Sequence, residues 1–74
     1  MIVKYFGPMT DITGKQEETI QSETLSELKA TILKSYPDSE GVEFSISVNE
    51  EIIHEDIALS DSDEIAILPP FAGG

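Results

Sequence analysis

The sequence closes on Leu68-Pro69-Pro70-Phe71-Ala72-Gly73-Gly74, and its last two glycines are the residues best suited to chemistry. A terminal glycine carboxylate is the least hindered carboxyl that a polypeptide offers, because no Cβ stands beside it. Neither Gly73 nor Gly74 would obstruct passage through a narrow channel. At neutral pH the group is ionised, since an α-carboxyl titrates near ~3.5, and an ionised carboxylate is a poor electrophile. Reaction at that carbon therefore requires activation from outside, most simply by a nucleotide that converts it to an acyl adenylate. Pro69 and Pro70 lack the N–H of a sheet ladder and hold φ near the polyproline value. They predict that strand pairing stops there and that a stiff arm projects from the fold. From Pro69 to Gly74 it spans at most about 20 Å, at ~3.3–3.6 Å per residue, enough to reach a buried active site on another protein.

Seventy-four residues make one small domain, and folding hides only about 60–65% of the unfolded chain's surface. One modest core results, with little room for a cleft, so a complete active site with its own substrate pocket is not expected. The chain has no cysteine, which excludes a disulfide, a thiolate zinc site and a cysteine nucleophile, and fits the reducing cytoplasm. Met1-Ile2-Val3-Lys4 carries no signal-peptide pattern, and no apolar run approaches membrane-spanning length. Fifteen Asp and Glu stand against four Lys and no Arg, for a formal net charge of −11. So acidic a chain repels phosphate backbones and anionic membrane surfaces, which argues against nucleic acid and membrane as partners. It favours proteins with basic surfaces and steers encounter with them.

The elements that must hold the arm follow from periodicity. Ile2 to Phe6 alternates and is rich in β-branched and aromatic residues, a strand that Gly7-Pro8 breaks. Met9 to Thr13 fits one helical turn with Gly14 as its left-handed cap, and Lys15 to Gln21 a more exposed strand in a hairpin with the first. Thr24 and Glu27 form a capping box, and Leu25, Leu28, Ile32 and Tyr36 make one helical stripe. Lys34 suits the last turn and Pro37 stops the helix. Phe44, Ile46 and Val48 alternate with Ser45, Ser47 and Asn49, predicting a strand with one clean buried face. Asn49-Glu50 is a tight turn into a short strand near Glu51 to His54, and a loop over 55–62 turns at Asp61-Ser62-Asp63 into a last strand, Glu64 to Leu68.

A hairpin, a crossover helix and a last strand returning beside the first make up the β-grasp arrangement of ubiquitin-like domains. The expected fold is α+β, a mixed sheet of four to five strands with one main helix packed on one face. The domain covers 1–68 and the extended tail 69–74.

Lys4 marks the solvent face of the first strand, so Ile2 and Phe6 share it while Val3 and Tyr5 point inward. Glu64 likewise turns Ala66 and Leu68 outward and Ile65 and Ile67 to the core. Parallel pairing of these strands makes Phe6 and Leu68 neighbours at the root of the tail, an apolar patch of the kind that marks a protein interface. Other candidates read as structure. His54, the one histidine, has no second histidine for a metal site. Glu50-Glu51 and Glu55-Asp56 have no pocket for acid–base work and read as solvated loops. Ser60-Asp61-Ser62-Asp63 is a fragment of a calcium loop without the remaining ligands. Tyr36 belongs to the core edge.

The run from Asp61 to Gly74, an acidic turn, an apolar strand, Pro69-Pro70 and Gly73-Gly74, resembles the ending of the MoaD family, the small sulfur-carrying subunits of molybdopterin synthase. Val3-Lys4-Tyr5-Phe6-Gly7, Thr13-Gly14 and Ser47-Val48-Asn49 resemble it too; the absence of arginine in the loop after the first strand departs from it. The resemblance implies that a ubiquitin-activating-type adenylyltransferase, MoeB-like, adenylates Gly74 with ATP and magnesium. A sulfur donor then displaces AMP to leave a thiocarboxylate, a 1-thioglycine. It further implies that the tail enters a MoaE-like large subunit, in a heterotetramer, and delivers sulfur twice to cyclic pyranopterin monophosphate to build the molybdopterin dithiolene. Gly74 is then the reacting residue and Gly73 its clearance, while Phe6, Leu68, Pro69, Pro70, Phe71 and Ala72 meet the partner. The chain itself binds no cofactor or metal. A ThiS-like carrier for thiazole synthesis would share the tail chemistry but commonly lacks the proline pair. A ubiquitin-like modifier would join Gly74 to lysines of target proteins.

Overall fold

The computed structural model describes residues 1–70. Strand β1 (Ile2–Tyr5) leads into helix α1 (Pro8–Thr13) and strand β2 (Glu17–Thr19). Helix α2 (Leu25–Ser35) follows, then a 3-10 turn over Pro37–Ser39, strands β3 (Ser45–Val48) and β4 (Glu51–Ile53), and strand β5 (Glu64–Leu68). One sheet contains all five strands in the order β2-β1-β5-β3-β4. Only β1 and β5 run parallel; the other pairs are antiparallel.

The element order is the expected one, and the differences lie at the ends. β1 stops at Tyr5 because Gly7, at φ 61 and ψ −140, turns the chain into α1, with Pro8 in the first turn where no N–H is missed. α1 ends on Gly14 in the left-handed conformation, as Met9–Gly14 predicted. β2 is shorter than Lys15–Gln21, since Lys15 still belongs to the turn: its N–H donates to Thr13 Oγ1 at 3.2 Å. Thr24 caps α2 by accepting from the Glu27 N–H at 3.2 Å. α2 ends ahead of Pro37, as expected, and the chain then makes a separate 3-10 turn over Pro37–Ser39.

Leu25, Leu28 and Ile32 of α2 bury against Val3 and Tyr5 of β1, Ile46 and Val48 of β3, and Ile65 and Ile67 of β5, with Met1 and Met9 closing the ends. Burial of each such Leu or Ile side chain contributes about 1.5–3 kcal/mol, which is what folds the helix onto the sheet. Ser47 departs from the sequence reading. It lies on the outer face of β3 yet is only 6% exposed, so this strand does not have one clean buried face. The reason is its place in the sheet: Ala66 of β5 and Ile52 of β4 flank it on either side.

The β3–β4 hairpin turns on Asn49 and Glu50, both at positive φ (52 and 70). Two-residue turns of this hand match the twist of the strands, and asparagine tolerates that region where glutamate is strained. The Asn49 amide also serves β5: its Oδ1 accepts from the Glu64 N–H and its Nδ2 donates to Asp63, both at 2.9 Å. Replacing Glu50→Gly should raise stability by about 0.5–1 kcal/mol, the left-handed strain outweighing the added freedom of the unfolded chain. Urea denaturation midpoints check this, and an unchanged or lower midpoint contradicts a strained Glu50.

Candidate functional site

The root of the tail is built by register. Ile2, Val3, Lys4 and Tyr5 lie opposite Glu64, Ile65, Ala66 and Ile67, and the Phe6 N–H donates to the Ile67 carbonyl at 3.0 Å. Continued by one residue that register sets Phe6 opposite Leu68, and by two it sets Gly7 opposite Pro69, where the two are in contact. The inward set is fully covered, with Val3, Ile65 and Ile67 at 0% exposure. The outward set is not: Ile2 is 44% and Phe6 45% exposed, and Ala66 and Leu68 are half-buried. The alternation therefore runs as the charges Lys4 and Glu64 suggested. Those two residues form an ion pair at 3.2 Å on the outer face, an exposed contact of at most about 1 kcal/mol.

β5 ends at Leu68, beyond which Pro69 has no N–H to extend either ladder. Pro69 packs on the bare α-carbon of Gly7, where a Cβ would stand only 2.6 Å from the proline Cγ. Pro70 reaches the other side of β5, at the lip of a hollow of about 460 Å³ bounded by Lys29, Val42, Phe44, Ile53 and His54. A second hollow, about 400 Å³, lies beside Phe6 and is lined by Lys4, Thr10, Gln16 and Glu17. Phe71, Ala72, Gly73 and Gly74 lie outside the described residues. Of the sequence-predicted set, Phe6, Leu68 and Pro69 thus meet where the chain leaves the sheet, while Pro70 lies apart from Phe6, beside Phe44, Ile53 and His54. The residue to which the sequence assigned no role at the tail is Gly7, read as a strand breaker and as part of the opening stretch that resembles the family.

A polar cluster anchors the end of β1 beneath this exit. Glu18 Oε2 accepts from both Tyr5 and Tyr36 hydroxyls at 2.6 Å, while its Oε1 receives Lys15 Nζ at 3.3 Å. The two rings meet edge to face, with centroids 6.2 Å apart. Burial, then the bond to Glu18, raises the Tyr5 pKa far above its ordinary value, and the bond to Glu18 raises that of Tyr36. Burial opposes the charge on Glu18, but the bonds from Tyr36, Tyr5 and Lys15 outweigh it and hold the carboxyl below its ordinary value. Tyr36 sits at the core edge, as the helical stripe predicted, with its hydroxyl spent on this cluster.

Asp56, expected to be solvated loop, is exposed but takes part in the architecture. Its carboxylate accepts from the Ser26 N–H and hydroxyl, both at 2.9 Å, adding a second cap to α2 from thirty residues away. Those bonds, the backbone one first, depress its pKa, and the Ser60 N–H, with Asn49, does the same for Asp63. His54 is exposed. Among the described residues no group of His, Cys, Asp and Glu is arranged to hold a metal ion. No described helix is long and apolar enough to cross a membrane.

Five strands in this order, one parallel pair at the centre and a helix across one face define a ubiquitin-like β-grasp domain whose last strand ends beside the exposed Phe6. The model of the ThiS family matches residues 3–74, and the chain belongs to that family. The molybdopterin synthase sulfur carrier subunit of Caenorhabditis briggsae is 34% identical, over 97% of this chain and 94% of its own length. Among solved structures, a chain in the complex of subunits 1 and 2 of the molybdopterin-converting factor from Helicobacter pylori matches with a TM-score of 0.74 and 32% identity. That match covers 99% of this chain and 96% of the other. Small archaeal modifier protein 1 from Methanosarcina acetivorans matches with a TM-score of 0.82 and 27% identity, covering 99% of this chain and 94% of its own. The resemblance to the MoaD family is borne out.

The Glu18 cluster makes stability pH-dependent in two directions. Glu18, with its folded pKa depressed, contributes above its ordinary value, and that contribution is lost as pH falls through the depressed one. Tyr5 and Tyr36, with raised values, contribute below the ordinary tyrosine range and lose it as pH rises through their folded values. Denaturation midpoints across the pH range should therefore show a Glu18→Gln variant with shallower acid and alkaline limbs than the parent; superimposable limbs contradict the cluster.

Proposed function

We propose that this chain is a sulfur carrier, the small subunit of a molybdopterin synthase, working in the cytoplasm. The observation that carries the reading is that the family match runs through residue 74, so that Gly73 and Gly74 lie within it. The Caenorhabditis briggsae relative supports the carrier role, and the Helicobacter pylori complex supports a large-subunit partner. In this reading a MoeB-like adenylyltransferase uses ATP and magnesium to convert the Gly74 carboxylate to an acyl adenylate, releasing pyrophosphate. A sulfur donor displaces AMP from the carbonyl carbon, leaving a thiocarboxylate. The arm then enters the large subunit and gives its sulfur to cyclic pyranopterin monophosphate. Two deliveries complete the dithiolene, and a heterotetramer of two small and two large subunits places one arm at each site.

Each part of the domain has a task in this scheme. Gly73 lets the arm through, Pro69 and Pro70 stiffen it, and Phe6, Leu68, Phe71 and Ala72 meet the partner around its entry. The binding of the pterin and the movement of protons belong to the large subunit. A carrier for thiazole synthesis would use the same tail, and the curated relatives favour the molybdopterin pathway over it. A second reading, a protein modifier that joins Gly74 to lysines, is favoured by the archaeal modifier among the structural neighbours.

Intact-mass measurement after incubation with the activating enzyme, ATP and a sulfide source should give the increment of one oxygen replaced by sulfur, located on Gly74. An unmodified mass sinks the carrier reading, and isopeptide-linked species in its place turn the decision to the modifier. Extending the chain by one residue beyond Gly74 should abolish the increment without lowering the melting temperature. Phe6→Ala should weaken binding to the large subunit about tenfold with the fold intact, as expected of an aromatic anchor near an interface centre. Unchanged affinity removes Phe6 from the docking surface.

A further inference from the structure

We propose that Gly7 and Pro69 form a latch that sets the direction in which the arm leaves the domain, so that Gly7 is a positioning residue for sulfur delivery. The inference rests on the carrier reading above. A strand that has just lost its ladder partners would leave the sheet in many directions, and a stiff arm turns a small angular error at its root into a large displacement at its end. Something must fix the first step after Leu68. Neither ladder can do so, because Pro69 carries no N–H.

What fixes it is contact. The parallel register brings Gly7 opposite Pro69, and the pyrrolidine ring occupies the space where any other residue at position 7 would carry its Cβ: that atom would sit 2.6 Å from Cγ, 3.4 Å from Cδ and 3.6 Å from Cβ of Pro69. The backbone at Gly7, φ 61 with ψ −140, is itself open only to glycine. The seat beneath the ring is held from several sides. The Phe6 N–H bonds the Ile67 carbonyl at 3.0 Å, the Gly7 carbonyl accepts from the Thr10 N–H at 3.0 Å, and Thr10 Oγ1 donates to the Tyr5 carbonyl at 3.1 Å. Buried Met9 pins the helix that follows. A firm seat and a ring with few internal freedoms make an aiming device, whereas packing of the core needs neither, since Pro69 is exposed.

The latch separates aim from docking. The outer face carrying Phe6 and Leu68 governs affinity for the large subunit, and the Gly7–Pro69 contact governs how well the delivered atom is placed once bound. A misplacement of about 1 Å can cost on the order of 10²-fold in rate, so the effect belongs in kcat.

Three variants test it: Pro69→Ala, Gly7→Ala and the double variant. Pro69→Ala removes the ring beyond Cβ, while Pro70 still keeps residue 69 extended. With the ring gone, an alanine at position 7 meets only the Cβ of residue 69, at the ordinary contact distance of 3.6 Å. Each variant is first converted to the thiocarboxylate, then assayed with the large subunit for KM and kcat of sulfur transfer, alongside its melting temperature. Pro69→Ala should lower kcat about tenfold, by more than any change in KM, with the melting temperature near the parent's. Gly7→Ala should lose more, and the added Pro69→Ala change should recover the part of that loss due to the clash, while the part due to the positive φ at residue 7 remains. A parental kcat in Pro69→Ala, or a double variant no better than Gly7→Ala, overturns the latch. Failure of the parent chain to accept sulfur overturns the carrier reading instead, and the crowding of Gly7 by Pro69 is then judged by melting temperature alone: no rescue of Gly7→Ala by Pro69→Ala rejects it.

Discussion

The pairing of β1 with β5 is the constraint on which the rest of the molecule depends. It joins segments from opposite ends of the domain, in the middle of the sheet, and it is the one parallel pair. Val3, Tyr5, Ile65 and Ile67 form the floor on which Leu25, Leu28 and Ile32 of the helix rest. The same register that buries those side chains aligns Ile2, Lys4 and Phe6 with Glu64, Ala66 and Leu68 on the opposite face. A slip by one residue would put the aliphatic set in water and the charged set in the core. Core and outer surface are thus fixed by one choice of register, and with them the place where the chain leaves the sheet.

That economy extends to the packing. Folding packs most of the large apolar side chains into a single layer between helix and sheet, leaving Ile2, Phe6 and Leu33 exposed, and the hollows left on the surface are shallow. Every buried side-chain N or O among the described residues has a hydrogen-bond partner, so the interior is satisfied without a ligand. Glu18 shows how this is done at the margin: one carboxylate serves two tyrosine hydroxyls and a lysine, tying the edge strand to the end of α2. Asp56 and Asn49 act likewise, each joining a loop to an element distant in sequence.

Local signals were legible residue by residue. Thr24 with Glu27, the Leu25-Leu28-Ile32-Tyr36 stripe and Pro37 bracket the helix because capping and periodicity act over a few residues. Gly14 announces a left-handed cap and Asn49-Glu50 a tight turn for the same reason, and all three residues take positive φ. Lys4 and Glu64 gave the facing of the two central strands, since a charge cannot be buried unpaired. Ser47 misled, because its polarity suggested a solvent face and only its central position among the strands explains its burial. Asp56 was indistinguishable from its solvated acidic neighbours, as nothing in its surroundings points to Ser26 thirty residues earlier.

By itself, the sequence determined the elements, most of their inward faces and the proline pair that follows the last strand, all properties of short windows in which side chains act on their own backbone. It also carried enough resemblance to indicate the family. The tertiary structure decided what meets what: that Gly7 lies under Pro69, that Glu18 gathers Tyr5 and Tyr36, and that Phe6 stands beside Leu68 at the exit. Each is a contact between distant segments, and its geometry exists only once burial of the core has fixed the register between β1 and β5.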